Sequence, residues 1–447
     1  MPDLRRIFYH ILALLGQWTI GATFLFSGFV KAADPLGMEH KLEAYIRAMG
    51  LDASVFGVNL MAGSAALDIL VVLIALVEFL VGLYYVLGIH QQMLRHVGPV
   101  VMTFMTALTA WVYWENPVPD CGCFGDALAL TNGQTFLKNI VLLSMALALA
   151  FGRKFMVRLL SRSNEWVATT ASFIYILGLS VYSLWNLPLV DFTGYAVGTD
   201  LRSALYGDYR TQYVYRRGAE ERAFGDDEPL PDSTWTFVTA KSIEVAAPTI
   251  SDFSLTDVEG FEKGEEILSQ EGYTFLLLIP EFSMADAGCS DQLNDVCDFA
   301  SDKGLTLLCA TAMDDAERRQ WSDRTGAAYP FVTASSETLK AMVRSNPGLM
   351  LLHDGRIVKK WGHHGMPNFE ELSMQALDAA AHDAQTWSLD RMYVLLTSIY
   401  IGIIFLVILA DRLWAGNRYY QRLRRVRLYR RRGVAEQNGD IGEKHGE

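Results

Sequence analysis

Six long apolar runs dominate the hydropathy pattern, at about 10–30, 65–88, 97–114, 135–151, 167–187 and 392–413. Each approaches the roughly 20 residues that cross a bilayer as a helix. The first follows Arg5 and Arg6 and closes near Lys31-Ala32-Ala33-Asp34, which mimics a signal peptide with a small-residue cleavage site. Its apolar stretch exceeds the roughly 7–15 residues of a signal core, so an uncleaved membrane helix is expected, with cleavage as the alternative.

Between the fifth and sixth runs the pattern changes. The fifth ends in Trp185-Asn-Leu-Pro188, suited to a membrane interface. Residues 196–250 are polar, with Asp226-Asp-Glu-Pro229-Leu-Pro231, and read as a linker with a hairpin from Thr234 through Lys241 toward Val245. Residues 252–260 read as a strand entering a turn. Residues 273–279 are a continuous apolar run, the mark of a buried strand. Helical spacing over 289–303 stops at Gly304; 305–311 is a second buried strand, and 314–325 a helix ending at Gly326. Residues 345–361 predict two strands joined at Asp354-Gly355. Alternating strands and helices imply an α/β layer with a terminal hairpin.

Composition agrees with a membrane protein: 51% of the residues are hydrophobic and mean hydropathy is +0.18. Basic residues in the short connections orient it. Arg5 and Arg6, Arg95, the set Arg153, Lys154, Arg158 and Arg162, and the run Arg418, Arg422, Arg424, Arg425, Arg427, Arg430, Arg431 and Arg432 all fall on one side if both termini are cytoplasmic. The opposite short loops carry Lys31, Lys41, Arg47 and Lys138. Residues 189–386 then form an extracytoplasmic, periplasmic region. It holds much of the acid behind the net charge of −12, including Glu220, Glu221 and Glu228, which argues against nucleic acid as a partner. The C-terminal arginines suit anionic lipid headgroups.

The candidate chemistry centres on Cys121-Gly-Cys123, set in Pro117-Val-Pro119-Asp120-Cys121-Gly-Cys123-Phe124-Gly125-Asp126 on the outward side. Thiols one residue apart can close a strained, labile disulfide. Outside the cytoplasm they meet oxidising conditions. The alternatives are a static disulfide bracing a loop and a soft-metal site with Met102 and Met105; no histidine is close in sequence to support the latter. Glu78, inside the second run, is a costly ionisable group and so a functional candidate. Lys31, Lys138 and Asn139 sit near the outward ends of their runs. A cluster of Lys31, Glu78, Lys138 and Asn139 beneath Cys121 and Cys123 is expected, with a cation favouring the thiolate. The other role for the two lysines is to snorkel to headgroups.

The string Gly16-Gln-Trp-Thr-Ile-Gly21 through Ser27-Gly28-Phe-Val-Lys31-Ala-Ala-Asp34-Pro35-Leu-Gly37 resembles the first helix of the DoxX/MauE family of bacterial membrane proteins. So do Lys41-Leu-Glu43-Ala-Tyr45, Glu78-Phe-Leu-Val-Gly82, Cys121-Gly-Cys-Phe-Gly125-Asp126 and Thr135-Phe-Leu-Lys138-Asn139. The resemblance spans about the first 150 residues. It implies a four-helix bundle linked to quinone-coupled oxidation of sulfur compounds or to disulfide formation during cofactor maturation. Residues 250–375 resemble the thioredoxin fold of TlpA-like and peroxiredoxin-like domains, in an opening hairpin, the strand–helix order and a proline before the Asp-Gly hairpin. Pro347 then matches that fold's cis-proline. The departure is the missing Cys-x-x-Cys: Cys289 stands near the expected place and the next cysteine is Cys297, about 12 Å on along a helix. Cys289 reads either as an ordinary residue or as a one-cysteine relay to the outward pair. Cys309 reads as packing, and the adjacent His363 and His364 as surface residues.

The expected organisation is an α-helical membrane protein with an inserted α/β thioredoxin-like domain: a four-helix bundle over 1–155, a fifth helix with its lead-in over 156–190, a linker over 191–249, the thioredoxin-like domain over 250–386, and a sixth helix with a basic tail over 387–447. A bacterial inner membrane location follows. The expected function is membrane-coupled thiol–disulfide oxidoreduction, with quinone as the possible cofactor, no metal, and membrane lipid and a periplasmic protein as partners. The alternative is a non-catalytic scaffold whose thioredoxin-like domain binds an envelope partner.

Overall fold

The computed structural model describes residues 4–443, apart from 51–53, 56–57, 60–62, 119–120, 219, 226–227, 230–231, 251–252, 370–371 and 387–390. Pro119, Asp120, Asp226, Asp227, Pro231 and Asp252 therefore lie outside the described residues, as do the side chains of Arg153, Arg422, Arg424, Arg425, Arg427, Arg430, Arg431 and Arg432.

Among the described residues, six helices are long and apolar enough to cross a membrane. In chain order the bundle begins with α1 (Leu4–Ala33) and a short amphipathic α2 (Pro35–Ala48), followed by a two-residue pairing of β1 (Ser54–Val55) with β2 (Val58–Asn59). Next come α3 (Ala65–Leu87), α4 (Gln91–Glu115), α5 (Asn132–Phe151) and α6 (Glu165–Trp185). The boundaries follow from capping chemistry. Asp34 accepts the Gly37 N–H at 2.9 Å and Pro35 opens α2, while Thr131 and Gln134 form a reciprocal capping box on α5.

Helices α1 and α3 pack at backbone contact. A Cβ on Gly82 would stand 2.4 Å from the Leu25 nitrogen, so only glycine allows this approach. That approach sets Ser27 and Lys31 of α1 against Glu78 of α3. The last helix, α13 (Arg391–Glu443), leans on α6, where the Tyr175 and Tyr400 rings stack at 4.2 Å and Ser172 bonds the Tyr400 hydroxyl at 2.8 Å.

Residues 196–250, read as a linker, instead carry α7 (Leu201–Tyr206) and a three-stranded antiparallel sheet ordered β4-β3-β5. Its strands are β3 (Asp208–Arg217), β4 (Glu220–Gly225) and β5 (Thr236–Ala246). Tyr209, Thr211, Tyr213 and Tyr215 alternate with Arg210, Gln212 and Val214 along β3, and Tyr215 meets both Phe224 and Phe237 edge-on.

The α/β domain follows with α8 (Gly264–Ser269), β6 (Tyr273–Ile279), α9 (Ser290–Lys303), β7 (Thr306–Thr311), α10 (Asp315–Thr325), β8 (Phe331–Thr333), α11 (Ser336–Met342), β9 (Gly348–His353), β10 (Arg356–Gly362) and α12 (Met374–Thr386). Its sheet is ordered β10-β9-β6-β7-β8, with β6, β7 and β8 parallel and the β9–β10 hairpin antiparallel. Every residue of β6 is buried, as a strand covered on both faces requires. Asp354 and Gly355 take φ of 51° and 76°, the conformation of the hairpin turn. The Asn346–Pro347 bond ahead of β9 is cis. Strand order, crossovers and the cis-proline together make this domain thioredoxin-like.

The expected opening strand is reduced to single bridges of Thr256 with Glu262 and Thr333. Asp257 accepts the N–H groups of Glu259 and Phe261, each at 2.9 Å, which closes a local turn in place of a ladder. The chain ends in α13 (Arg391–Glu443), which extends well past the apolar run read from sequence.

Candidate functional site

The site lies where the α4–α5 loop folds back over the ends of α1, α2, α3 and α5. Cys121 and Cys123 bring their sulfurs to 3.0 Å as free thiols. Gly122 between them has φ of 66°, in the left-handed region, and a Cβ there would lie 2.6 Å from the Lys41 side chain. Gly122→Ala is therefore expected to destabilise the reduced loop by about 1–3 kcal/mol. Thermal unfolding of the reduced and oxidised purified protein checks this; an unchanged midpoint in both forms would contradict the loop geometry.

Beneath the thiols sits a buried ion pair. Lys31 Nζ donates to Glu78 Oε2 at 2.8 Å, to Ser27 Oγ at 2.7 Å and to the Cys123 carbonyl at 2.9 Å. All three ammonium protons are thereby placed. Ser27 Oγ also stands 2.7 Å from Glu78 Oε2 and 2.6 Å from the Cys123 carbonyl, so its one proton serves either acceptor. Lys31 is 3% and Glu78 5% exposed. A charge so buried is tolerated only when paired and hydrogen-bonded. Here both groups are, and the redox loop is one of their partners.

The other expected residues divide. Lys138 sets its ammonium 4.0 Å from the Phe124 ring centroid, a cation–π contact on the loop's own aromatic. Asn139 turns toward α4, where Nδ2 donates to Thr109 Oγ1 at 3.2 Å. Both line a cavity of about 450 Å³ inside the bundle, together with Cys121, Cys123, Lys31 and Glu78. The rest of its wall is mostly apolar, with Phe24, Leu70, Ile74, Met102, Met105 and Leu142 among it. The thiols and cations thus share one mostly apolar cavity with side chains of the long apolar helices.

Two groups that the sequence reading quoted without a role complete the loop. Tyr45 on α2 donates its hydroxyl to the Cys121 carbonyl at 2.9 Å. Lys41 donates to the Gly125 carbonyl at 3.1 Å and pairs with Asp126 at 3.0 Å. A third, Arg344, has no signal in sequence: it arrives from the thioredoxin-like domain and pairs with Asp126 at 2.7 Å and Asp34 at 2.9 Å. Burial works against ionised Asp126, yet Lys41 and Arg344 hold its carboxyl below the ordinary range.

The paired thiols are held unequal. The Cys123 thiol donating to Cys121 is the largest influence; burial opposes it, Tyr45 and Lys138 assist, and the Cys121 thiol falls to about 6. Cys123 goes the other way, raised by that same bond and by burial. At neutral pH this is one thiolate beside one thiol, the pattern of a nucleophile with its resolving partner.

Cys289 lies elsewhere. It is 4% exposed in the core of the α/β domain, its thiol donates to the Asp286 carbonyl at 3.3 Å, and burial raises it to about 11. Cys309 is fully buried in β7, also raised by burial. Among the described residues, no group of three or more histidine, cysteine or acidic side chains is arranged to hold a metal.

Residues 9–152 match the family of methylamine utilisation protein MauE. The chain aligns in part with the bacterioferritin comigratory protein of Xanthomonas campestris, solved as trapped intermediate and ligand complexes bearing on alkyl peroxide reduction: 15% identity over 30% of this chain and 92% of that one, TM-score 0.21. It aligns likewise with peroxiredoxin Q of the same organism, at 14% identity over 30% and 91%, TM-score 0.21. Scores this low carry no argument, and the fold rests on the strand order described above. No curated protein matches the chain. The chain is thus a MauE-like membrane bundle joined to a thioredoxin-like domain.

Proposed function

We propose that the chain is a thiol–quinone oxidoreductase of the bacterial inner membrane, with both termini cytoplasmic and the thioredoxin-like domain in the periplasm. One observation carries the reading: Cys121, Cys123 and Lys138 line the same apolar cavity of about 450 Å³ within the bundle. That volume and lining suit a flat, largely apolar ring with a few polar contacts at one end. The Cys121 thiolate and the Cys123 thiol form one S–S bond with loss of the single S–H proton; a quinone takes up the two electrons, that proton and a second proton from water, and leaves as quinol. A dithiol of a periplasmic protein then restores the pair by exchange and is released as a disulfide. The Cys121 thiolate is the attacking sulfur and Cys123 the resolving one. Lys138 and Asn139 are the polar groups available at the head of the cavity, while Lys31, Glu78 and Ser27 fix the loop above it.

The scaffold reading keeps one supporting observation: the thioredoxin-like domain holds Cys289 in its core and has no adjacent second thiol. The two part on electron transfer. Reduced, purified protein is expected to pass two electrons per cysteine pair to a soluble quinone, whereas a scaffold passes none.

A further inference from the structure

The thioredoxin-like domain reaches the redox loop through the Arg344 side chain. Arg344 follows α11 and precedes the cis-proline loop, and its side chain is 8% exposed. Its Nε lies 3.1 and 3.0 Å from the two Asp34 carboxylate oxygens, and its Nη2 reaches Asp126 at 2.7 Å. Asp34 is the cap of α2; Asp126 closes the Cys-Gly-Cys-Phe-Gly-Asp loop. One guanidinium, delivered from more than 200 residues away, therefore staples α2 to the loop. Helix α2 forms the loop's cover, because Lys41 lies against Gly122 and Tyr45 bonds the Cys121 carbonyl. The four charges balance: Arg344 and Lys41 against Asp34 and Asp126. Withdrawing Arg344 leaves Asp34, itself 7% exposed, as a buried carboxylate without that partner, a state relieved by opening toward water.

We propose that Arg344 is a positioning residue that latches the redox loop shut on its aqueous side, so that a water-borne dithiol protein reaches Cys121 and Cys123 only when the thioredoxin-like domain lifts. The proposal rests on the thiol–quinone reading for its purpose, but not for its test. In the latched state the thiols face the bundle cavity, the side that serves the membrane oxidant. When the domain lifts, Arg344 leaves both carboxylates at once, α2 loosens, and the pair is presented to its reductant. A domain without a dithiol of its own then still controls the order of the two half-reactions.

The test is alkylation of the full-length, reduced protein in lipid nanodiscs by a charged maleimide and by membrane-permeant N-ethylmaleimide, with labelling resolved by site. Arg344→Gln is expected to raise the charged reagent's rate at Cys121 and Cys123 tenfold or more. The permeant reagent's rate should change less than twofold, and Arg344→Lys should return the charged rate toward the unsubstituted protein. Asp126→Asn is expected to act in the same direction as Arg344→Gln. Equal charged-reagent rates in all forms would overturn the latch. So would acceleration that includes Cys289 and Cys309, because that marks loss of fold. Neither readout requires quinone, so a failed latch and a failed oxidoreductase are told apart.

Discussion

Lys31→Met is expected to cost about 3–5 kcal/mol of stability, because Glu78 is left charged and buried without its partner. Glu78→Gln should fall in the same range for the converse reason. The pair replaced together, Lys31→Met with Glu78→Leu, should recover most of the loss, since no charge remains to be desolvated. Function should not recover with it. Lys31 spends one of its three protons on the Cys123 carbonyl, and the double variant has nothing to hold that carbonyl over the cavity. Thermal unfolding in detergent compared with electron transfer to quinone separates the two effects. Full activity in the double variant would show that the ion pair serves packing alone.

The second large effect concerns the cysteines. Cys121→Ser and Cys123→Ser should each abolish turnover, since an S–S bond needs both sulfurs, but for different reasons. In the reduced wild-type protein, Cys121 should react with a permeant alkylating agent with half-maximal rate near pH 6, set chiefly by the bond from Cys123. The sign is checkable: the thiol sits below its usual value, so reactivity persists down to mildly acidic pH and is lost only below that midpoint. Cys123→Ser replaces the thiol donor and should shift the Cys121 profile. Cys121→Ser should leave Cys123 poorly reactive at neutral pH, because burial still disfavours its thiolate. Equal, ordinary profiles for the two sulfurs would remove the assignment of attacker and resolver.

How far sequence reaches into this site depends on distance along the chain. The six spans are legible because about 20 apolar residues have few other uses. Lys31 and Glu78 stand out as charges inside such spans, and Cys121 with Cys123 by spacing. Ser27 was not singled out, although it lies four residues before Lys31, one helical turn, and that spacing is the signal that could have found it. Arg344 was not: its partners Asp34 and Asp126 lie on other elements, and no periodicity links them. The sheet over 208–246 was obscured for a different reason. Its alternation is present in Tyr209, Thr211, Tyr213 and Tyr215, but Arg210 and Gln212 between them, Arg216 and Arg217 after them and the flanking acids lower its hydropathy to that of a linker. The opening strand failed in the opposite direction, because Asp257 offers the backbone a local turn that competes with a ladder.

The most direct measurement is made on purified full-length protein, reduced, freed of excess reductant and mixed anaerobically with a short-chain soluble quinone. Quinol absorbance and the thiol content of Cys121 and Cys123 are followed together. The account expects one quinol formed for each cysteine pair converted to disulfide, and none from either cysteine variant. Thiols that stay reduced while the quinone is untouched would contradict it and leave the loop as a brace within a membrane scaffold.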